Sequence, residues 1–228
     1  SKETELVAFE RPHPHGALAP TAHLELPFFD DTHRALANGL VAWSREQRVD
    51  ESDDRAACKE WVQRLGAAGW LRYCVPEVHG GALPALDSRA LVILRETLAF
   101  HSPLADFAFA MQGLGSGAIT LAGTPAQQSR YLRAVASGEK IAAFALSEPE
   151  AGSDLASLRT RAVIGDEFIV TGQKVWNTLG HYADYCELLV RTDADTPKHQ
   201  GITCLLVDMH LPGITVRPLT TLTGEDEF

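Results

Sequence analysis

The chain has no run approaching ~20 consecutive apolar residues, so no segment of it reads as a membrane-spanning helix. It is short of positive charge: 20 Lys and Arg stand against 30 Asp and Glu, a formal net charge of −10. A surface of that sign repels phosphate backbones and argues against a DNA or RNA partner. Cysteine is sparse. Cys58, Cys74, Cys186 and Cys204 are scattered without a close pair, which speaks against a zinc site or a redox motif. Reduced, buried thiols in a cytoplasmic protein are the expectation. No P-loop and no H-E-x-x-H is present, and Gly152-Ser153-Asp154 lacks the G-x-S-x-G frame of a nucleophile elbow. Gly113-Leu114-Gly115-Ser116-Gly117 resembles a dinucleotide loop, but no strand precedes it and Ala118 stands where the third glycine belongs. It reads as a site of close helix packing or a helix break, and the small residues of Gln112–Gly117 raise the expectation of spare room. The polar start, Ser1-Lys2-Glu3-Thr4-Glu5, does not read as a signal peptide.

What is present suffices for a core. The 228 residues are 45% hydrophobic, enough for one large domain or two small ones. Residues 1–28 read as an irregular arm, punctuated by Pro12, Pro14, Pro20 and Pro27 among His13, His15 and His23. A helical period follows. Leu36, Leu40 and Trp43 share one helix face; a second helix opens near 52–54 and carries Ala57, Trp61 and Leu65. Asp87 caps a third helix with Leu91, Leu94 and Leu98 inward. Pro103 starts a fourth, apolar all round and so buried among the others. Thr124-Pro125-Ala126-Gln127 is a capping box with proline at the first helical position, and the helix it opens ends at Gly138.

After Gly138 the pattern changes to strands, expected over 141–146, 161–164, 167–176, 187–191, 202–207 and 214–218, with a two-residue hairpin turn at Gly165-Asp166. Helices followed by strands, without alternation, point to an α+β chain: an N-terminal all-α domain over 29–138, then a small antiparallel β-barrel or sandwich domain over 139–228.

Two segments in the strand region carry chemistry. One is Phe144-Ala145-Leu146-Ser147-Glu148-Pro149-Glu150-Ala151-Gly152-Ser153-Asp154. The other is Gly172-Gln173-Lys174-Val175-Trp176-Asn177-Thr178. Singly, each has a bland alternative: turn and cap chemistry at Ser147 and Gly152-Ser153-Asp154, and a core role for Trp176. Together and in this order they resemble the acyl-CoA dehydrogenase family, in which aromatic–x–aliphatic–Ser/Thr–Glu–Pro–x–Ala–Gly–Ser–Asp is followed by Lys–x–Trp–x–Thr/Ser. Further likeness runs through Val75-Pro76-Glu77, Gly80-Gly81, Gly123 to Gln128, Tyr131-Leu132, Gly138-Glu139 and Pro212-Gly213-Ile214, and so covers roughly residues 30–228.

The resemblance implies FAD as cofactor, held by Phe144, Leu146, Ser147, Gly152, Ser153, Trp176, Asn177 and Thr178, with Ser153 also touching the acyl-CoA thioester arm. The residue types suit that task. The pyrimidine edge of a flavin gains negative charge on reduction and needs fixed donors, which Ser147 and the 144–147 backbone would supply. Trp176 would pack on the ring, and the Thr178 hydroxyl would reach its hydride-accepting nitrogen. Asn177 departs from the β-branched residue usual there, and Leu179-Gly180-His181 from the Asn that usually follows. His181 reads as a surface or interface residue.

The family's catalytic base, a carboxylate, belongs to a C-terminal helical domain that the resemblance does not reach, so no catalytic residue is assigned. Glu148, Glu150, Glu225 and Glu227 are all set aside. The expectation is therefore a fragment with an incomplete β domain, inactive and weak in FAD binding by itself. The activity implied for the whole is α,β-desaturation of an acyl-CoA, with electrons passing to an electron-transfer flavoprotein, in a homo- or hetero-oligomer. The alternatives are a non-catalytic subunit of a mixed oligomer and a same-fold oxidase, flavin monooxygenase or nitroalkane oxidase.

Overall fold

The computed structural model describes residues 19–222, 224 and 226. Pro12, Pro14, His13, His15, Glu225 and Glu227 lie outside them. The described end of the expected arm makes a 3-10 turn, Ala22–Glu25, whose Leu24 is buried with Ala37 and Ile93.

Five helices follow, each opened by a polar cap. Helix α1 (Asp31–Glu46) is capped by Asp30, α2 (Asp54–Ala67) by Asp53, and α3 (Ser88–His101) by Asp87. Helix α4 (Pro103–Ala122) is capped by Ser102, and α5 (Pro125–Ser137) by Thr124, which forms the expected capping box with Gln127. Each cap satisfies backbone N–H groups that a helix start otherwise leaves orphaned. Buried His33 sits between two of the caps, 2.8 Å from Asp30 and 3.2 Å from Asp87, and so ties the starts of α1 and α3 together. Leu40, Leu65, Leu94, Leu98, Phe109 and Leu132 fill the core between the helices.

The strands form one five-stranded sheet: β1 (Ala142–Ala145), β2 (Arg161–Ile164), β3 (Phe168–Thr171), β4 (Tyr185–Arg191) and β5 (Ile202–Asp208). The organisation, helices and then a sheet, is the expected one, but the sheet is mixed and not antiparallel throughout. Strand β4 pairs antiparallel with β5 along one edge. Its other edge is shared end to end by two parallel neighbours, β1 against Tyr185 to Leu188 and β2 at Arg191. The β2–β3 hairpin pairs Ile164 with Phe168, so its connection has three residues, 165–167, where two were expected. Among the described residues, the expected strand over 214–218 has no ladder partner. Of the thiols expected to be buried, Cys58, Cys74 and Cys186 are; Cys204 is exposed on β5. All four are free.

Helix α4 joins the two halves. A Cβ at Gly115 would lie 2.5 Å from the Ala142 Cβ, so the absent side chain is what lets β1 lie against the helix. The expected close packing is thus real at Gly115, whereas nothing lies within 4 Å of a Cβ built at Gly117. Two side chains from one face of β4 grip the next turn of α4. The Tyr185 hydroxyl donates to the Gly115 carbonyl at 2.7 Å, and the Ile119 N–H donates to Glu187 Oε1 at 3.2 Å. Glu187 is fully buried; burial pushes its carboxyl up, against the N–H groups of Ile119 and Ala118.

Gly115→Ala overpacks this contact and is expected to destabilise the fold by about 1–3 kcal/mol. Gly117→Ala, two residues on and with nothing within 4 Å of the new Cβ, should be neutral or slightly stabilising. Denaturant melts of the two variants side by side check the contrast.

Candidate functional site

The two segments singled out in the sequence meet just beyond the end of β1. The chain leaves the strand at Ala145, passes Leu146 and Ser147, and makes a tight turn in which Glu148 and Ala151 exchange backbone hydrogen bonds of 3.0 and 3.1 Å. The second segment was expected to continue β3 as far as Trp176, but β3 ends at Thr171. The reason is steric and polar together. A Cβ at Gly172 would come within 2.3 Å of Thr160 Oγ1, so only glycine lets the two chains touch there. The chain then leaves the hairpin and lies along the first segment, where the Val175 N–H donates to the Ser147 carbonyl at 3.0 Å.

Lys174 and Glu148 lock this crossing. Their side chains are 6% and 7% exposed, and Lys174 Nζ lies 2.9 Å from Glu148 Oε1. Lys174 also donates to the Leu146 carbonyl at 2.8 Å. The Glu148 carboxylate accepts the backbone N–H groups of Arg159 at 2.6 Å and Thr160 at 2.9 Å. Burial pushes the Glu148 carboxyl up, yet Thr160, the Arg159 N–H and Lys174 outweigh it and hold it down at about 2. Burial lowers Lys174 in spite of Glu148. Both charges are buried, and each is compensated by the other and by backbone groups, the condition under which an internal ion pair is tolerated.

The remaining singled-out residues fall into two groups. Phe144, Leu146, Ser147, Asn177 and Thr178 are half-buried. Trp176 is 64% exposed and adopts a left-handed backbone, φ 60°, as does buried Leu179, φ 57°. Bulky side chains rarely take that conformation, which costs on the order of 1–3 kcal/mol and persists only where the surroundings impose it. Asn177 Oδ1 is buried without a partner among the described residues. Gly152 and Ser153 form a second, exposed group on the loop past the turn, where the neighbouring Asp154 is held by Lys198 at 2.8 Å. His181 is half-buried with an unpartnered Nδ1, and it lines a surface cleft of about 430 Å³ with Glu51, Asp53 and Arg55.

Sequence reasoning set Glu148 aside as a base and quoted Lys174 only as motif. Their pairing across 26 residues was missed, and no local pattern signals it. Among the described residues no cluster of His, Cys, Asp or Glu could hold a metal ion, and no helix is long and apolar enough to cross a membrane.

Residues 29–139 match the family model described as acyl-CoA dehydrogenase, N-terminal domain, and residues 143–228 match the one described as acyl-CoA dehydrogenase, middle domain. Acyl-CoA dehydrogenase IpdE1 of Mycobacterium tuberculosis is 37% identical over 195 residues, covering 85% of this chain and 49% of that protein. A solved acyl-CoA dehydrogenase from Geobacillus kaustophilus superposes with a TM-score of 0.75 at 30% identity, covering 88% of this chain and 55% of that one. An acyl-CoA dehydrogenase complexed with FAD, from Bacillus anthracis, superposes with a TM-score of 0.71 at 26% identity over 83% of this chain and 33% of that one. The chain spans about half the length of IpdE1.

The Glu148 pKa sets a test of the crossing. A carboxyl held below its unfolded value adds stability that is present above that value, 4.5, and is lost as pH falls through about 2. Urea titrations at stepped pH should show wild type weakening over that window, with a shallower pH slope for Glu148→Gln.

Proposed function

The chain belongs to the acyl-CoA dehydrogenase family, and on that premise we propose that residues 29–138 form the helical domain and 139–228 the flavin-holding domain of an FAD-dependent acyl-CoA dehydrogenase. The observation that carries this reading is the crossing of the 144–148 and 173–178 segments. It leaves the Ser147 N–H and the Ser147 and Thr178 hydroxyls without partners among the described residues, beside an exposed tryptophan. Open donors next to a large aromatic face suit a flat, amphipathic ring whose edge becomes negatively charged. The residues present therefore fit FAD.

Bound there, FAD would supply the hydride acceptor, ring nitrogen N5, that desaturation of an acyl-CoA thioester needs. The chain's own groups would bind and orient. Phe144, Leu146 and Ser147 would hold the pyrimidine edge, Gly152 and Ser153 would bind from the loop, Trp176 and Asn177 would pack against the ring, and the Thr178 hydroxyl would serve the hydride-accepting nitrogen. Ser153 would also bind the thioester arm of the substrate. The base for the α-proton is assigned to none of the carboxylates here. Glu148 is committed to Lys174 and two backbone N–H groups, and Glu187 is sealed beneath α4. The reading places that base in the half of the family's length that this chain does not span. It also includes an electron-transfer flavoprotein as acceptor, an oligomeric enzyme and a cytoplasmic location.

FAD titrated into the full-length gene product should bind and give a flavin absorbance band. Ser147→Ala and Thr178→Val should each weaken binding roughly tenfold, the worth of one hydrogen bond at about 1.4 kcal/mol. Absence of bound flavin at saturating FAD would overturn the reading. Slow reoxidation of the reduced enzyme by oxygen, with fast reoxidation by an electron-transfer flavoprotein, separates a dehydrogenase from a same-fold oxidase.

A further inference from the structure

We propose that Lys174 is a positioning residue for the cofactor site: by holding the Leu146 carbonyl it turns the 146–147 peptide so that the Ser147 N–H faces away from the ion pair as an open donor. The inference rests on the flavin reading for what the donor meets, but not for how the donor is aimed.

Two peptide groups flank Ser147. In a trans peptide the carbonyl and the following N–H point in opposite directions, and the described residues contain no cis peptide. Lys174 Nζ takes the Leu146 carbonyl at 2.8 Å, so the Ser147 N–H is directed away from Lys174. The next carbonyl, that of Ser147, is taken by the Val175 N–H at 3.0 Å. The N–H after that, of Glu148, is closed by the Ala151 carbonyl at 3.0 Å. Both peptide planes are thus fixed through their carbonyls by consecutive residues, 174 and 175, of the opposite segment. Among the described residues, the groups of Ser147 left over are its N–H and its hydroxyl.

The ammonium does what a neutral side chain could not. It has three donors, and it spends one on the carbonyl and another on a carboxylate that Arg159 and Thr160 hold from behind. Glu148 neutralises the buried charge and, being anchored on both oxygens, fixes where the ammonium sits. A donor held in place before the reaction needs no reorganisation when charge develops beside it.

A purely structural ion pair would affect stability alone, so the test must separate stability from aim. Lys174→Met leaves Glu148 buried and unpaired and is expected to fold poorly. The double variant Glu148→Gln with Lys174→Met removes both charges and should recover stability, since replacing a buried pair by uncharged groups is often tolerated. In the full-length protein, this double variant is expected to bind FAD at least tenfold more weakly than wild type. A crystal structure of its FAD-free form is expected to show the 146–147 peptide rotated. An unrotated peptide, or unchanged FAD affinity, overturns the inference and leaves the flavin reading standing. Failure of wild type itself to bind FAD overturns the flavin reading, and the peptide's orientation in the double variant then decides the aim by itself.

Discussion

A single buried carboxamide holds the two halves of this molecule in register. Gln112 of α4 is fully buried, donates from Nε2 to the Lys140 carbonyl at 2.8 Å and accepts the Ala142 N–H on Oε1 at 2.9 Å. An apolar residue there would strand a donor and an acceptor away from water, each at a cost of about 1–3 kcal/mol. Next to it the Ile141 N–H donates to Asp184 Oδ2 at 2.7 Å, which ties the same point to the approach to β4. The start of β1 is therefore set by side chains from the helix on one side and from the sheet on the other. Residues 144–148 emerge from that start, and Lys174 and Val175 then fix the crossing.

The polar caps and the apolar faces of the helices were legible in the sequence because they are local. Asp53, Asp87 and Thr124 act on N–H groups within three residues of themselves, and a helix face repeats every turn. The strand region was legible in composition but not in connectivity. The apolar run after Gly165 reads as one strand to Trp176; only contact with Thr160 and the reach of Lys174 to Glu148 reveal why it breaks at Gly172. Parallel pairing of β1 with β4 is equally invisible, since its partners are far apart along the chain.

The site follows the same division. The residue types around Ser147 and Trp176 could be read as a motif, and they suggested a chemistry. What holds them in place could not be read, because each holder is a partner brought in from a distance: Lys174 for Leu146, Val175 for Ser147, and Arg159 and Thr160 for Glu148. Glu187 is the extreme case. It lies at the start of the strand run 187–191, and nothing in that run tells that it is sealed under α4, where the N–H of Ile119, 68 residues earlier, donates to it.

The sharing of one edge of β4 between β1 and β2 bears on the order in which the chain can assemble. The β2–β3 hairpin needs only a three-residue connection and can close on the microsecond timescale of such units. Strand β1 has no neighbour until the chain 43 residues further on has been laid beside it, and a long loop must lose its freedom first. Loop closure therefore costs less entropy for the hairpin than for the β1–β4 ladder. The crossing of residues 144–148 with 173–178 joins groups only 26 residues apart, Lys174 and Glu148, so the loop it must close is shorter than the one that brings β1 to β4.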